Sequence, residues 1–225
     1  MITIVINKLL TTVNFRKGNN KQNKYIVIHY VGADGGAKDN CRYFEKFYRG
    51  ASAHYFVGHE GEVWQCVEDK DIAWHCGATK YRHAECRNEN SIGIEMCCRK
   101  RAGNWYFEDK TVSSTIALVK ELMKKYNIPI ENVIRHYDVM GKICPAPYVY
   151  NNTKHTWDDF KAQLKEAKPM AKDNTPDNYA KEAIEWATAN KILNGNGQGD
   201  LMLHKDITRQ DLMVVLHNFY NKFVK

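Results

Sequence analysis

Tyr25-Ile-Val-Ile-His-Tyr-Val31 is a short apolar run rich in Ile and Val. Such a run reads as a strand buried on both faces, the kind that forms the centre of an α/β sheet. His29 lies near its end. Far along the chain, Arg135-His-Tyr-Asp-Val-Met-Gly-Lys-Ile-Cys-Pro145 supplies His136 and Cys144. Imidazole and thiolate suit zinc, and three protein ligands leave the fourth tetrahedral position to a water, as in a hydrolytic rather than a structural site. Taken singly, each residue has a plainer reading: a satisfied core histidine, a histidine capping a strand, a buried thiol.

Outward from that strand, Asp39 to Arg49 reads as a helix. Ala53-His-Tyr-Phe-Val57 and Glu62-Val-Trp-Gln-Cys-Val67 flank Gly58-His-Glu-Gly61, a strand, tight loop, strand pattern. Ser91 to Cys97 is a further strand, with Cys97 and Cys98 pointing to opposite faces. From Asp109 to Tyr126, Val112, Ile116, Val119, Leu122, Met123 and Tyr126 recur at spacings of three and four, which predicts a long amphipathic helix ended near Pro129. Val133-Ile-Arg-His136 reads as a short strand delivering His136, and Thr156 to Glu166 as a closing helix with Trp157, Phe160 and Leu164 inward. At the start, Met1-Ile-Thr-Ile-Val-Ile alternates like a strand that Asn7 and Lys8 break. The fold class is α/β, a central mixed sheet flanked by helices.

Residues 168–176, with two prolines and little apolar content, have linker chemistry. They divide a large unit, 1–167, from a small helical one, 177–225. The small unit is predicted to hold a helix over Tyr179 to Ala189, a loop Asn194-Gly-Asn-Gly-Gln-Gly-Asp200, and a helix opened by a Thr208/Asp211 capping box that carries Leu212, Val215, Leu216 and Phe219. About fifty residues with so small a core are only marginally stable alone, so docking or self-association is expected, the protein being a monomer or a homodimer.

The 225 residues and 44% apolar content are those of an ordinary globule. Seven cysteines without a regular framework argue for a reducing cytoplasm rather than a disulfide scaffold. No signal peptide or membrane span is visible at the start of the sequence. The net charge of +7, nearly all on residues 1–167, predicts attraction to an anionic partner. The basic residues are scattered, with only short clusters such as Arg99-Lys-Arg101, so no nucleic acid is expected. An anionic wall polymer fits the charge equally well.

Five motifs carry a resemblance: Ile26-Val-Ile-His-Tyr30, Ser52-Ala-His-Tyr-Phe-Val-Gly58, Asp71-Ile-Ala-Trp-His-Cys-Gly77, Asn90-Ser-Ile-Gly-Ile-Glu-Met96, and His136 through Cys144-Pro145. In this order they resemble the zinc-dependent N-acetylmuramoyl-L-alanine amidases of phage endolysins and bacterial autolysins. The resemblance implies that His29, His136 and Cys144 bind Zn2+ and that the enzyme cleaves the amide between N-acetylmuramic acid and L-alanine in peptidoglycan, lysing the wall. Related peptidoglycan-recognition proteins that have lost activity typically lack the cysteine. Cys144 therefore favours an enzyme over a non-catalytic recognition module, the alternative reading.

Amide hydrolysis also needs a proton shuttle, and Glu95 is the candidate. On a strand it lies opposite Ile92, Ile94 and Met96, so it faces the cleft beside Gly93 when those face the core. Lys142, two residues before Cys144, is placed to stabilise the developing oxyanion. Endolysin relatives often carry Lys there, whereas a tyrosine used by other members is replaced by Ala53, which moves more of the proton transfer to Glu95. His54 and His75 either line the substrate groove or are hydrogen-bonded structural residues. Trp74 and Tyr30 either stack on sugar or peptide or simply pack.

A rival metal set, His75, Cys76, His83 and Cys86, has irregular spacing for structural zinc. Cys41, Cys66, Cys97 and Cys98 read as small buried apolar residues. In the tail, Tyr179-Ala-Lys-Glu-Ala-Ile-Glu-Trp186, Gly195-Asn-Gly-Gln-Gly199 and Ile207-Thr-Arg209 resemble one surface-layer-homology repeat, with Leu201 and Leu203 replacing its usual aromatic and proline. That resemblance implies binding to an anionic secondary cell-wall polymer. The expected location is cytoplasmic until release, with action at the bacterial wall.

Overall fold

The computed structural model describes residues 5–18, 22–165, 174–193, 201, 203–204 and 209–224. The chain divides into two compact units, Met1–Lys165 and Glu166–Lys225. Among the described residues of the first, ten strands follow in chain order: β1 Ile6–Lys8, β2 Phe15–Arg16, β3 Tyr25–Tyr30, β4 Tyr55–Val57, β5 Val63–Gln65, β6 Ile72–Ala73, β7 Ser91–Met96, β8 Arg99–Arg101, β9 Asn104–Tyr106 and β10 Val133–Arg135. Its helices are α1 Ala37–Glu45, α2 Asp109–Tyr126, α3 His136–Met140, α4 Ala146–Tyr150 and α5 Trp157–Leu164.

Six strands form one mixed sheet in the order β1-β5-β4-β7-β3-β10. β3 is its interior, parallel to β7 on one side and to β10 on the other. That explains its unbroken apolar run, since a strand with both neighbours and both faces covered has no polar side to show. The register places Ile26 beside Ile92, Ile28 beside Ile94 and His29 beside Glu95. Alternation then sorts the faces. Ile26, Ile28, Ile92, Ile94, Met96, Tyr55 and Val57 form one core with Val112, Ile116, Val119 and Leu122 of α2 and Phe160 and Leu164 of α5. His29, Gly93 and Glu95 are left on the opposite face, where Val27 packs with Cys76, Cys86, Ile134 and Val139, and Phe56 with Ala37, Cys41, Cys66 and Cys97.

α2 spans the predicted residues and is closed by Asn127 in the left-handed conformation, φ 52°, whose N–H returns to the Met123 carbonyl. α1 starts two residues earlier than expected and stops four earlier. Its last carbonyls are taken by an outside segment: Thr11 Oγ1 and Asn14 Nδ2 donate to the Phe44 carbonyl at 2.5 and 2.7 Å, and the Thr12 N–H donates to Glu45 at 2.9 Å. Those groups satisfy the helix end and let the chain turn away. Asn7 and Lys8 do not break the first strand. They lie within β1 at the sheet edge, where Asn7 Nδ2 also donates to the Val63 carbonyl at 3.2 Å.

The second unit has α6 Lys181–Ala189, preceded by a turn at Asn178–Ala180, and α7 Arg209–Phe223. Trp186 stacks on Phe223 at 5.4 Å, and Lys222 Nζ donates to the Asn190 carbonyl at 2.7 Å. Leu212, Leu216 and Phe219 are exposed, as are Tyr179 and Tyr220. The expected glycine-rich loop at 194–200, residues 168–173 of the expected linker, and the Thr208/Asp211 cap lie outside the described residues. No helix among the described residues is long and apolar enough to cross a membrane.

Phe160 is 1% exposed and packs on both Tyr148 and Trp157. Phe160→Ala is expected to cost about 3–5 kcal/mol in urea unfolding followed by circular dichroism, and a loss under about 1 kcal/mol would contradict the packing described.

Candidate metal centre

Two short segments bring three donors together. β3 carries His29 up the centre of the sheet, and β10 runs parallel beside it to Arg135. The strand stops there because Arg135 and Asp138 cap each other: the Arg135 N–H donates to Asp138 Oδ2 at 2.8 Å, and its guanidinium makes two further bonds to the same carboxylate at 3.0 and 2.8 Å. His136 therefore begins a helix, α3, rather than ending a strand. α3 closes on Gly141, φ 84°, a left-handed position suited to glycine. The returning chain is held by the Tyr137 N–H, which donates to the Cys144 carbonyl at 2.8 Å, and by Arg135, which donates to the Tyr148 carbonyl at 2.9 Å.

The ligating atoms of His29, His136 and Cys144 lie within 4.8 Å of one another, and all three residues are buried. Cys144 Sγ is 3.8 Å from His29 Nδ1, and the rings of His29 and His136 are 4.6 Å apart. His136 Nε2 faces Met140 Sδ at 2.8 Å, whereas its buried Nδ1 has no hydrogen-bond partner. The site thus brings one donor atom from each of two imidazoles and a thiol within 4.8 Å of one another and leaves one imidazole nitrogen, His136 Nδ1, orphaned. That donor set fits a tetrahedral zinc ion with a fourth position open.

The electrostatics agree. Burial, reinforced by His136, His75 and Lys142, holds His29 well below the ordinary imidazole value. Burial and then Lys142 lower His136 to about 4. Both rings are therefore neutral near pH 7, as ligands must be. Burial and the neighbouring Glu95 raise the Cys144 thiol. A cation is what would release that proton.

Glu95 lies across the strand pair from His29, with Oε1 3.9 Å from His29 Nδ1. Its Oε2 is buried without a hydrogen-bond partner. Burial pushes its pKa up to about 8, against the pull of Lys142. Lys142 is exposed and acts electrostatically on His29, His136, Glu95 and Cys144 alike. These five residues form one constellation.

The remaining sequence candidates fall elsewhere. His54 is fully buried: its Nδ1 accepts from the Gly93 N–H at 3.0 Å and its Nε2 lies 3.2 Å from the Asp71 carbonyl. So placed, it ties the sheet together and offers a substrate no surface. His75 is also buried, with Nδ1 3.0 Å from His29 Nε2, so it stands behind the ligand rather than in a groove. Trp74 is half-buried and meets the exposed Tyr48 edge-on at 5.9 Å. Tyr30 is half-buried against Trp105 at 6.2 Å. In the rival set, Cys76 and Cys86 sit in an apolar cluster, and His83 Nδ1 accepts from the Glu85 and Cys86 N–H groups at 3.1 and 3.0 Å. Among the described residues, His29, His136 and Cys144 form the one group brought to ligating distance.

Sequence reasoning missed Ser91, Met140 and Tyr48. Only Ser91 had a signal, because it shares strand parity with Gly93 and Glu95.

Residues 19–147 match the N-acetylmuramoyl-L-alanine amidase family. The chain is 35% identical over 156 residues to the N-acetylmuramoyl-L-alanine amidase BlyA of Bacillus subtilis (strain 168), covering 63% of this chain and 41% of that protein. It is 34% identical over 129 residues to the amidase AmiD of Escherichia coli (strain K12), covering 52% of this chain and 45% of that protein. The chain thus spans less than half the length of these curated relatives. Among solved structures, the catalytic domain of XlyA aligns with TM-score 0.58 and 27% identity over 72% of this chain and 99% of that one. A mutant endolysin from Bacillus subtilis aligns with TM-score 0.58 and 28% identity over the same shares.

A carboxyl whose pKa is raised by folding binds its proton more tightly in the folded than in the unfolded state, so its contribution to stability falls as pH rises from the unfolded value to the folded one. For Glu95 that window ends at about 8. Metal-free Glu95→Gln is therefore expected to gain stability relative to the metal-free parent chain as pH rises through this window. Melting curves taken across the window check this, and parallel pH profiles would contradict it.

Proposed function

Because the chain belongs to the N-acetylmuramoyl-L-alanine amidase family, we propose that it is a zinc hydrolase cleaving the amide between N-acetylmuramic acid and L-alanine in bacterial peptidoglycan. The observation that carries this reading is the convergence of His29, His136 and Cys144, with the Glu95 carboxylate 3.9 Å from His29. His29 Nδ1, His136 Nδ1 and Cys144 Sγ would hold the ion. When bound, zinc supplies Lewis acidity, lowering the pKa of a water towards about 7 and polarising the scissile carbonyl.

The chain's own residues supply the rest. Glu95 takes the proton of the attacking water on its unpartnered Oε2 and returns it to the departing alanine nitrogen, without which an amine cannot leave. Its raised pKa suits both halves of that task. Lys142 brings a positive charge to the carbonyl oxygen as it becomes an oxyanion. Ala53, buried where the resemblance placed a tyrosine in other family members, has no proton to give. Proton transfer therefore rests on Glu95. Trp74, Tyr48 and Tyr30 offer aromatic surface for sugar or peptide, and the net positive charge draws the chain to an anionic wall.

The small C-terminal unit would hold the enzyme on the wall by binding an anionic secondary polymer, as its likeness to one surface-layer-homology repeat suggests. Its exposed Trp186, Tyr179 and Tyr220 support an interaction role, for wall or for a second copy. The enzyme would remain in the cytoplasm until release.

Digestion of purified peptidoglycan tests the chemistry. New alanine amino termini without new reducing ends are expected, abolished by chelation and restored by zinc. Reducing ends, or chelator-insensitive product, would refute it. A chain ending at Lys165 is expected to keep activity on soluble muropeptide and lose retention on intact walls, and equal retention would reject wall binding by the tail.

A further inference from the structure

The face of His29 turned away from the metal centre is occupied by another imidazole. His29 Nε2 lies 3.0 Å from His75 Nδ1, with the two rings nearly perpendicular at 88°. The far nitrogen of His75, Nε2, lies 3.1 Å from Ser91 Oγ. Ser91 in turn donates to the Arg87 carbonyl at 2.6 Å. His29, His75 and Ser91 are all buried.

The direction of this chain of bonds follows from its last member. A carbonyl only accepts, so the single Ser91 hydroxyl proton is committed to Arg87. Cys76 Sγ, 3.8 Å from the same hydroxyl, is the poorer acceptor. With its proton spent, Ser91 Oγ must accept from His75, which places the His75 proton on Nε2 and leaves Nδ1 with a lone pair. That lone pair accepts from His29, so the His29 proton lies on Nε2. His29 Nδ1 is then left unprotonated, on the side of Cys144 Sγ and Glu95 Oε1.

The backbone is shaped to admit this arrangement. A Cβ on Gly93 would come within 2.5–2.8 Å of the His75 ring, so only glycine lets the ring lie against β7. The His75 and Cys76 N–H groups both donate to Asn88 Oδ1, at 3.1 and 2.8 Å, which fixes the height of the loop. The other imidazole of the site has a weaker anchor, since His136 Nε2 meets only the Met140 thioether.

We propose that His75 and Ser91 are positioning residues: a buried proton relay, Arg87 carbonyl to Ser91 to His75, locks His29 in the tautomer whose Nδ1 lone pair faces the metal centre. This rests on the zinc reading given above. The relay pre-selects the ligating form before any ion arrives, so that binding does not need a tautomer exchange in a dry interior. Outer partners of metal-bound histidines commonly govern affinity by about 10–100-fold.

The test uses the full chain with 15N-labelled histidine. In the metal-free protein at neutral pH, long-range proton–nitrogen correlation is expected to show His29 protonated on Nε2 and bare on Nδ1. A His29 protonated on Nδ1, or exchanging between forms, would overturn the inference and requires no variant. In competition with a zinc chelator, Ser91→Ala and His75→Phe are each expected to bind zinc about 10–100-fold more weakly while keeping the parent's circular dichroism. Ser91→Ala, the smaller change, keeps the test decisive if His75→Phe fails to fold. Zinc affinity in folded Ser91→Ala equal to that of the parent overturns the relay alone. A parent chain that binds no zinc overturns the metal reading and the relay with it.

Discussion

The parallel pairing of Tyr25–Tyr30 with Ser91–Met96 is the constraint on which the rest depends. One face of that strand pair is closed by isoleucines and a methionine beneath α2 and α5, and this apolar face fixes the register. A slip of one residue by the 25–30 strand would turn Ile26 and Ile28 out of the core and bury His29 among hydrocarbon, and the same slip by the 91–96 strand would do this to Ile92, Ile94 and Glu95. The same alternation that builds the core thus delivers a ligand and an acid side by side on the other face. Gly93 and Ser91, at the remaining positions of that face, make room for His75 and anchor it.

A second consequence is electrostatic. A face between two packed layers is dry, and dryness keeps the imidazoles neutral and the Cys144 thiol and Glu95 largely protonated near neutral pH. Each of these is unfavourable for an isolated charge and suitable for a divalent cation, whose own charge then dominates the site. The Arg135–Asp138 pair performs the remaining mechanical task by turning the chain at His136 and bringing Cys144 back beside it.

Much of this was legible in the chain itself. The Ile/Val run with a histidine at its end, the helical period over Asp109–Tyr126 and the His136 to Cys144 segment led to the mixed sheet and the three donors. The face on which Glu95 lies, beside His29, was readable from strand parity. What escaped was set by particular side-chain bonds that periodicity does not report, most of them between distant segments. The early end of α1 depends on Thr11 and Asn14, some thirty residues away in sequence. The turn at His136 depends on a local Arg–Asp cap that overrides strand character. The place of His75, left open between groove and structural roles, depends on a loop hung from Asn88. For His54, two bonds to backbone groups decide its position, and no periodicity reports them.

The central claim is that one metal ion is held by two imidazoles and one thiolate with a fourth position left open. X-ray absorption at the zinc edge of the loaded full chain measures this directly. The account predicts a shell with one sulfur at about 2.3 Å and light atoms at about 2.0–2.1 Å, two of them with imidazole multiple scattering. A shell with two or more sulfurs, or with none, would mean that the ion sits on Cys76 and Cys86 or away from Cys144, and would contradict it.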